Sequence, residues 1–319
     1  MIGGVENVVM DLAMELSKLG HKVKVLTLTK ANSPDSFPFE VIRQARFIHT
    51  VRLIKWGDIV VQTNVSLKGF IPALLARRPL IINHQNEYPS TFNGVTKRWV
   101  AQKLAINVSC SMYISGAYDS CQVLLNPYNN QVFKKYTPEI RTKDIVFLGR
   151  LVSVKGVDIL LRALQLLRKE PNCHLSLTII GDGPEKLNLL QLVEQLGLQT
   201  QVNLIGNKTG DELAGLLNQH KLMVVPSIYE EPFGIVALEG IACGCMVIGS
   251  KAGGLPEAIG PCGVTFPMGN ASALATLIEK ALSEPDWRAT HQAHAITHLA
   301  VHTRKAIAKR FLEILDNHL

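Results

Sequence analysis

Val5, Val8, Val9, Leu12, Ala13, Leu16 and Leu19 recur at steps of three and four residues, the period of a helix with one apolar face, and Gly20 supplies its stop. Behind this helix the apolar positions condense into short runs. Those over 22–28, 59–62, 80–83, 106–108 and 123–125 read as strands, with helical spacing over 68–76 and 95–105 between them. Strand–helix–strand alternation specifies a parallel sheet covered on both faces. The turn-rich stretch Asn126-Pro127-Tyr128-Asn129-Asn130, running on to Pro138, ends the first half. A second alternation then sets in, with strands over 145–148, 175–180, 202–205, 222–226 and 246–249. Helices over 157–167, 185–196, 211–219 and 233–243 separate or flank them, and a last helix covers 300–315.

The expected fold class is α/β, with two facing Rossmann-like doubly wound domains and an interdomain cleft. The first domain spans 1–138 and the second 139–299, and the helix within 300–319 packs back toward the first. A doubly wound sheet normally begins with a central strand, and no residues ahead of the first helix provide one. The N-terminal domain is therefore expected to lack its first strand, the coding start lying upstream of Met1 or the domain being truncated.

Composition narrows this further. With 319 residues, 47% hydrophobic, 18% charged and free of repetitive tracts, the chain can bury two cores and is not a disordered tail. The longest apolar stretches, near 71–75 and 235–248, are cut by Arg77-Arg78 and Glu239, so no membrane-spanning helix is expected. Met1-Ile2-Gly3-Gly4-Val5-Glu6 has no basic region followed by an apolar run, as a secretory signal would. Six cysteines without Cys-x-x-Cys spacing point to buried thiols in a reducing cytoplasm. The net charge of +7 is unevenly placed: 1–140 holds 16 Lys and Arg against 9 Asp and Glu, whereas 141–319 holds 17 against 17. The excess favours an anionic small molecule or membrane surface as partner of the first half, and nucleic acid is not an expected partner.

Chemistry concentrates in Pro226-Ser227-Ile228-Tyr229-Glu230-Glu231-Pro232-Phe233-Gly234-Ile235-Val236-Ala237-Leu238-Glu239. A buried strand ends here and a helix begins near Phe233, so the N–H groups of Phe233, Gly234 and Ile235 suit a phosphate. Glu239 lies on a helix apolar all round and needs fixed donors, either ligand hydroxyls or neighbouring backbone or Arg. Arg150 and Lys155 follow the carboxyl end of a buried strand, where they are either solvated loop cations or partners of a diphosphate. Gly181-x-Gly183 permits close approach of the chain but is a poor dinucleotide signal, since Lys186 stands in the third glycine's place. That disfavours a nicotinamide-dependent oxidoreductase. His84, with Asn83 and Glu87 nearby, follows a strand of the first half and is either a ligand contact or a satisfied polar residue. The helix over 95–105 joins Lys97, Arg98 and Lys103 to Trp99, Val100 and Leu104, a pattern for an anionic membrane or for an ordinary solvated face.

The pair Glu231 and Glu239, followed by Ala252-Gly253-Gly254-Leu255-Pro256-Glu257, resembles the Glu-x7-Glu motif of family 4 retaining glycosyltransferases of the GT-B fold. Val146 to Gly156, Ile180-Gly181-Asp182-Gly183-Pro184 and Gly3-Gly4-Val5-Glu6 are similar to that family's diphosphate segment, Gly-rich loop and N-terminal glycine loop. The resemblance implies transfer of a sugar, with retention, from a UDP-, GDP- or ADP-sugar to a glycan, lipid-linked or small-molecule acceptor, in cell-envelope or exopolysaccharide biosynthesis. It implies no metal and no cofactor. Arg150 and Lys155 would hold the diphosphate, Glu239 the ribose, Glu231 the donor sugar, Gly3 and Gly4 the phosphate, and His84 the reacting sugar. The implied enzyme is cytoplasmic, with possible peripheral contact with an anionic membrane. The alternative is a truncated, non-catalytic sugar-nucleotide-binding subunit.

Overall fold

A computed structural model describes residues 4–30, 37–88, 91–137, 141–168 and 174–318. The chain divides into two units, Met1–Pro127 with His302–Leu319, and Tyr128–Val301.

In the first unit, helix α1 (Gly4–Lys18) leads to β1 (Lys24–Thr27), β2 (Glu40–Arg43), α2 (Phe47–Trp56), β3 (Val60–Thr63), α3 (Leu67–Ala76) and β4 (Leu80–His84). Then come α4 (Phe92–Leu104), β5 (Ile106–Ser109), α5 (Met112–Ser115) and β6 (Gln122–Val123). Every strand pair is parallel: β1 with β2 as one ladder, and β3-β4-β5-β6 as another. Strand β4 is buried along its whole length, as a strand between two helical layers must be. On one face Leu12, Ile81, Val108 and Leu124 pack with Ile307, Phe311 and Ile314 of the C-terminal helix; on the other Phe70, Ala73, Ile82 and Ala101 pack together. Neither β2 nor α2 is foreseen by the apolar pattern, because β2 is four residues long and α2 buries Ile54 while leaving Phe47 and Ile48 exposed.

The second unit runs β7 (Lys143–Leu148), α6 (Val157–Leu167), β8 (Leu177–Ile180), α7 (Lys186–Gln195), β9 (Val202–Leu204), α8 (Gly210–Asn218) and β10 (His220–Val225). It continues through α9 (Ile235–Ala242), β11 (Met246–Ser250), α10 (Leu255–Ile259), β12 (Gly263–Phe266), α11 (Ala271–Ser283), α12 (Pro285–Gln292) and α13 (Ala295–Ala300). Its six parallel strands lie in the order β12-β11-β10-β7-β8-β9. One large core joins Ile145, Phe147, Leu160, Leu164, Ile179, Val224, Ile248 and Leu274. The division falls at Pro127/Tyr128 instead of after 138. Residues 134–136 are held by the second unit, where Asn218 accepts from the Tyr136 N–H (2.8 Å) and donates to the Lys134 carbonyl (3.0 Å). The helix expected over 300–315 is two elements: α13 ends at Ala300, and α14 (Arg304–Asp316) restarts behind Thr303, whose side chain caps it. Helix α14 belongs to the first unit, where Arg304 pairs with Asp11 of α1 at 2.6 Å.

No described helix is long and apolar enough to cross a membrane. Cys110, Cys243, Cys245 and Cys262 are buried thiols and Cys121 is half-buried; Cys173 lies outside the described residues.

His220 opens β10 fully buried, with Nδ1 2.7 Å from the Leu216 carbonyl and Nε2 2.8 Å from the Thr178 hydroxyl on β8, across the intervening β7. A carbonyl on one nitrogen and a hydroxyl on the other suit a neutral ring, and burial lowers its pKa to about 4. Between the ordinary histidine range and that value the unfolded chain binds a proton that the folded one refuses. Stability is therefore complete above about pH 6.5 and is lost as pH falls toward about 4. Denaturant unfolding of the chain between pH 7 and 5 is expected to show this loss, by up to about 1.4 kcal/mol per pH unit from this group. His220→Gln should flatten the dependence, and an unchanged slope in that variant would refute the assignment.

Candidate active site

Chain order reverses between two adjacent strands of the second unit: β8 and β9 extend the sheet from β7, and β11 and β12 extend it from β10. Loops leaving the carboxyl ends of β7 and β10 meet at this reversal, the usual ligand position of such sheets. The β7 loop contains a 3-10 turn, Ser153–Lys155, closed by Gly156 at φ +66°. A Cβ there would stand 2.0 Å from the Pro226 carbonyl oxygen, so only glycine lets the two loops touch. The Ile228 N–H donates to the Val154 carbonyl at 2.8 Å and fastens them.

This join delivers Lys155 to Glu231. The ammonium lies 2.6 Å from Glu231 Oε1 and 3.1 Å from the Tyr229 hydroxyl, and 4.9 Å from the centre of the Tyr229 ring. Ser227 also donates to Oε1, and the Tyr229 hydroxyl donates to Oε2. The carboxylate side chain is only 7% exposed, so these three donors offset its desolvation. Burial, then the neighbouring negative charge, pushes the Tyr229 hydroxyl pKa up and keeps it a donor. The backbone of Glu231 is fixed as well, its carbonyl accepting from Gly254 N at 2.7 Å.

Glu231 is therefore buried among three side-chain donors. Glu239, expected to be the enclosed one, is half-buried on α9. That helix begins at Ile235 and not near Phe233, because Gly234 takes φ +107° and precedes the first turn as a residue without a side-chain cap. Phe233 is buried and faces the core instead. Arg150 is exposed just past β7, and no described acid lies within ion-pairing distance of it. Gly181 and Gly183 permit a close approach, but to protein. Cβ atoms there would fall 1.9 Å from the Gly149 carbonyl and 2.3 Å from that of Leu151, and the Leu151 N–H donates to Asp182 at 3.0 Å. Asp182 bonds Gly183 N and Lys186, and these lower its pKa. Among the described residues no three His, Cys, Asp or Glu side chains converge as a metal would require.

In the first unit Gly3 lies outside the described residues and Gly4 opens α1. His84 ends β4 wholly buried, stacked on Tyr118 at 4.2 Å between ring centres. Its Nε2 is 2.8 Å from Asn107 Oδ1 and its Nδ1 2.9 Å from the Tyr118 hydroxyl; burial lowers its pKa to about 4. Both nitrogens have partners within the chain itself. Asn83 is buried and accepts from Gln85 Nε2 at 3.0 Å, while Glu87 accepts from the Tyr113 hydroxyl at the same distance. Helix α4 exposes Phe92, Val95 and Trp99, with Lys103 also outward and Lys97 and Arg98 half-buried.

Sequence reasoning singled out neither Ser227 nor Tyr229. Their signal was their place just beyond the carboxyl end of a buried strand, beside Glu231, where such sheets take ligands.

The family described as "Glycosyl transferases group 1" matches residues 129–297. A D-inositol 3-phosphate glycosyltransferase of Corynebacterium jeikeium is 36% identical over 184 residues, covering 55% of this chain and 44% of that protein. A glycosyltransferase of Methanocaldococcus jannaschii is 34% identical over 189 residues, covering 55% and 47%. The chain spans about half the length of the curated relatives it matches. Among solved structures, a glycosyltransferase from Rickettsia africae superposes with a TM-score of 0.85 at 20% identity, over 99% of this chain and 96% of that one. HepE of Anabaena, crystallised with UDP and glucose, gives 0.85 at 21% identity, over 100% and 97%. These superpositions establish a common α/β fold of the GT-B type. With the family match running over the whole switch-point site and more than half of its residues, the chain belongs to the glycosyl transferase group 1 family.

Proposed function

We propose that the protein is a retaining glycosyltransferase that moves a sugar from a nucleotide diphosphate sugar, UDP-, GDP- or ADP-linked, to a glycan, lipid-linked or small-molecule acceptor. The observation that carries this is the Lys155–Glu231 pair, held at the switch point beside an exposed Arg150 and the start of α9. Family membership supports it, as do relatives that are themselves glycosyltransferases.

As the sugar–phosphate bond breaks, negative charge grows on the departing diphosphate. Lys155 and Arg150 are two cations that can receive it, and the first-turn amides of α9 add a third source of positive potential. Lys155 is oriented in advance by Glu231 and Tyr229, so little reorganisation accompanies the charge build-up. A carboxylate offers about four acceptor positions. Lys155, Ser227 and Tyr229 use three of them on Glu231, and the remaining one is assigned to a donor-sugar hydroxyl. Glu239, half-buried eight residues on, is assigned to the ribose hydroxyls. The two cations take the role a divalent metal fills elsewhere, so the reaction is inferred to proceed without one. Acceptor recognition is assigned to the first unit, and α4, with Phe92 and Trp99 outward, to peripheral contact with an anionic membrane in envelope or exopolysaccharide synthesis.

Initial rates with UDP-, GDP- and ADP-glucose over an acceptor pool test the assignment. Lys155→Ala and Arg150→Ala should each lower turnover by about 10²–10³-fold, the loss typical of removing one charge-stabilising group. Tyr229→Phe should lower it by less than about tenfold, having lost one hydrogen bond to Glu231. Glu239→Gln should chiefly weaken donor binding. Wild-type rates in both cation variants would sink the reading, and an anomerically inverted product in the NMR spectrum would remove its retaining part. Co-sedimentation with vesicles of anionic lipid, reduced by Trp99→Ser, is the expected result for α4; binding equal in that variant counts against it.

A further inference from the structure

Helix α3 is apolar around most of its circumference, yet the first unit covers only one side of it. Phe70, Pro72 and Ala73 are buried, and Phe70 and Ala73 pack with Leu80 and Ile82 of β4. At a turn of about 100° per residue, Leu67, Ile71, Leu74 and Leu75 fall together on the opposite side. They are between 42% and 66% exposed, so this second apolar stripe faces outward. A helix apolar on both sides is ordinarily enclosed on both. Helix α2 packs against α3, and its own Ile48 is exposed as well.

Charge decides what could cover the stripe. Residues 46–103, which supply α2, α3 and α4, carry nine Lys and Arg against two Asp and Glu. Arg52 and Lys55 of α2, Lys68 of α3 and Arg77 just behind it are exposed, and none forms an ion pair among the described residues. Arg77 caps α3 at φ +53°, the left-handed position that glycine takes most easily, so a guanidinium is kept at the end of the stripe against a backbone cost. Arg78 donates to the Lys55 carbonyl at 2.8 Å and ties the cationic ends of α2 and α3 together. A second copy of the chain seated on this face would bring like charges together, whereas an anionic surface is attracted to it. Helix α4 lies on the same side of the sheet, since its Ala101 shares one core with Phe70, Ala73 and Ile82, so its outward Trp99 belongs to the same layer of helices.

We infer that the outer stripe of α3 is the main membrane-inserting element of the first unit, with Leu67, Ile71, Leu74 and Leu75 among the acyl chains of an anionic bilayer and Arg52, Lys55, Lys68 and Arg77 at the level of its headgroups. This deepens the membrane contact proposed for α4 and rests on that contact alone, not on the donor or the reaction. With ten residues, α3 is too short to span a bilayer and lies in the plane of its surface. The apolar stripe sets the strength of binding, and the cations set its preference for negative lipid.

The test is co-sedimentation of the full chain with vesicles of phosphatidylcholine, alone or mixed with phosphatidylserine. The chain should bind the mixed vesicles and not the neutral ones. Replacing two stripe residues together, Ile71→Gln and Leu75→Gln, should weaken binding by at least about tenfold while the circular dichroism spectrum stays that of the parent. Arg77→Gly should weaken it about fivefold, the weight of one basic side chain at a negative surface. The same change should raise the thermal midpoint, because glycine adopts φ +53° freely. Stability and binding moving in opposite directions is an outcome that a purely structural Arg77 would not give. Parental binding in the double variant overturns the inference; if Trp99→Ser still reduces binding, the α4 contact stands without it. Absence of binding by the parent chain overturns both. Equal binding to neutral and mixed vesicles also overturns the inference. So does a lipid-free dimer that the double variant dissociates, since a second copy would then be the occupant.

Discussion

Burying a carboxylate beside a sheet edge costs several kcal/mol unless donors surround it, and the second unit is organised around meeting that requirement for Glu231. Lys155 comes from one strand's loop, Ser227 and Tyr229 from another's, and neither loop alone could supply all three. The contact of Gly156 with Pro226 sets the distance between them. The adjacency of β7 and β10, in turn, exists only because the chain reverses direction of growth at that point in the sheet. A cation, a hydroxyl pair and an acid are thus brought together by the topology.

The same logic separates the glycines by task. Gly181 and Gly183 accommodate the neighbouring Gly149–Leu151 loop, which carries the exposed Arg150; their smallness serves the scaffold. Arg150 and Lys155, five residues apart in sequence, end up in different states. One is solvent-facing and unpaired with any described acid, the other is gripped by Glu231 and Tyr229. One cation is thus hydrated and the other held by the chain, so the two differ in how much water each would shed on meeting an anion.

Most of the second unit was legible in its sequence, because long amphipathic helices such as α6 alternate with strands buried on both faces, and each pattern has its own period. What escaped was short or weakly patterned: β2 with four residues, α2 with one buried position, and the break between α13 and α14, which a single Thr303 cap imposes. At the site, Lys155 and Glu231 were visible as residue types at strand ends. Their pairing was not, since it joins positions 76 apart through a turn whose geometry depends on a carbonyl in another loop. The difference in burial between Glu231 and Glu239 has the same origin. Periodicity shows that a helix is apolar, but not which of its flanks meets solvent.

The junction between the units has its own consequence. The first unit's chain leaves at Pro127 and re-enters at His302, and His302 Nδ1 lies 3.3 Å from the carbonyl oxygen of Asn126, whose side chain is locked to Gln85 by reciprocal amide hydrogen bonds. Exit and entry are therefore neighbours on one fixed spot of the first unit. In architectural terms the second unit is an insertion between two neighbouring points of the first. A substitution at either Asn126 or His302 therefore touches both crossings at once.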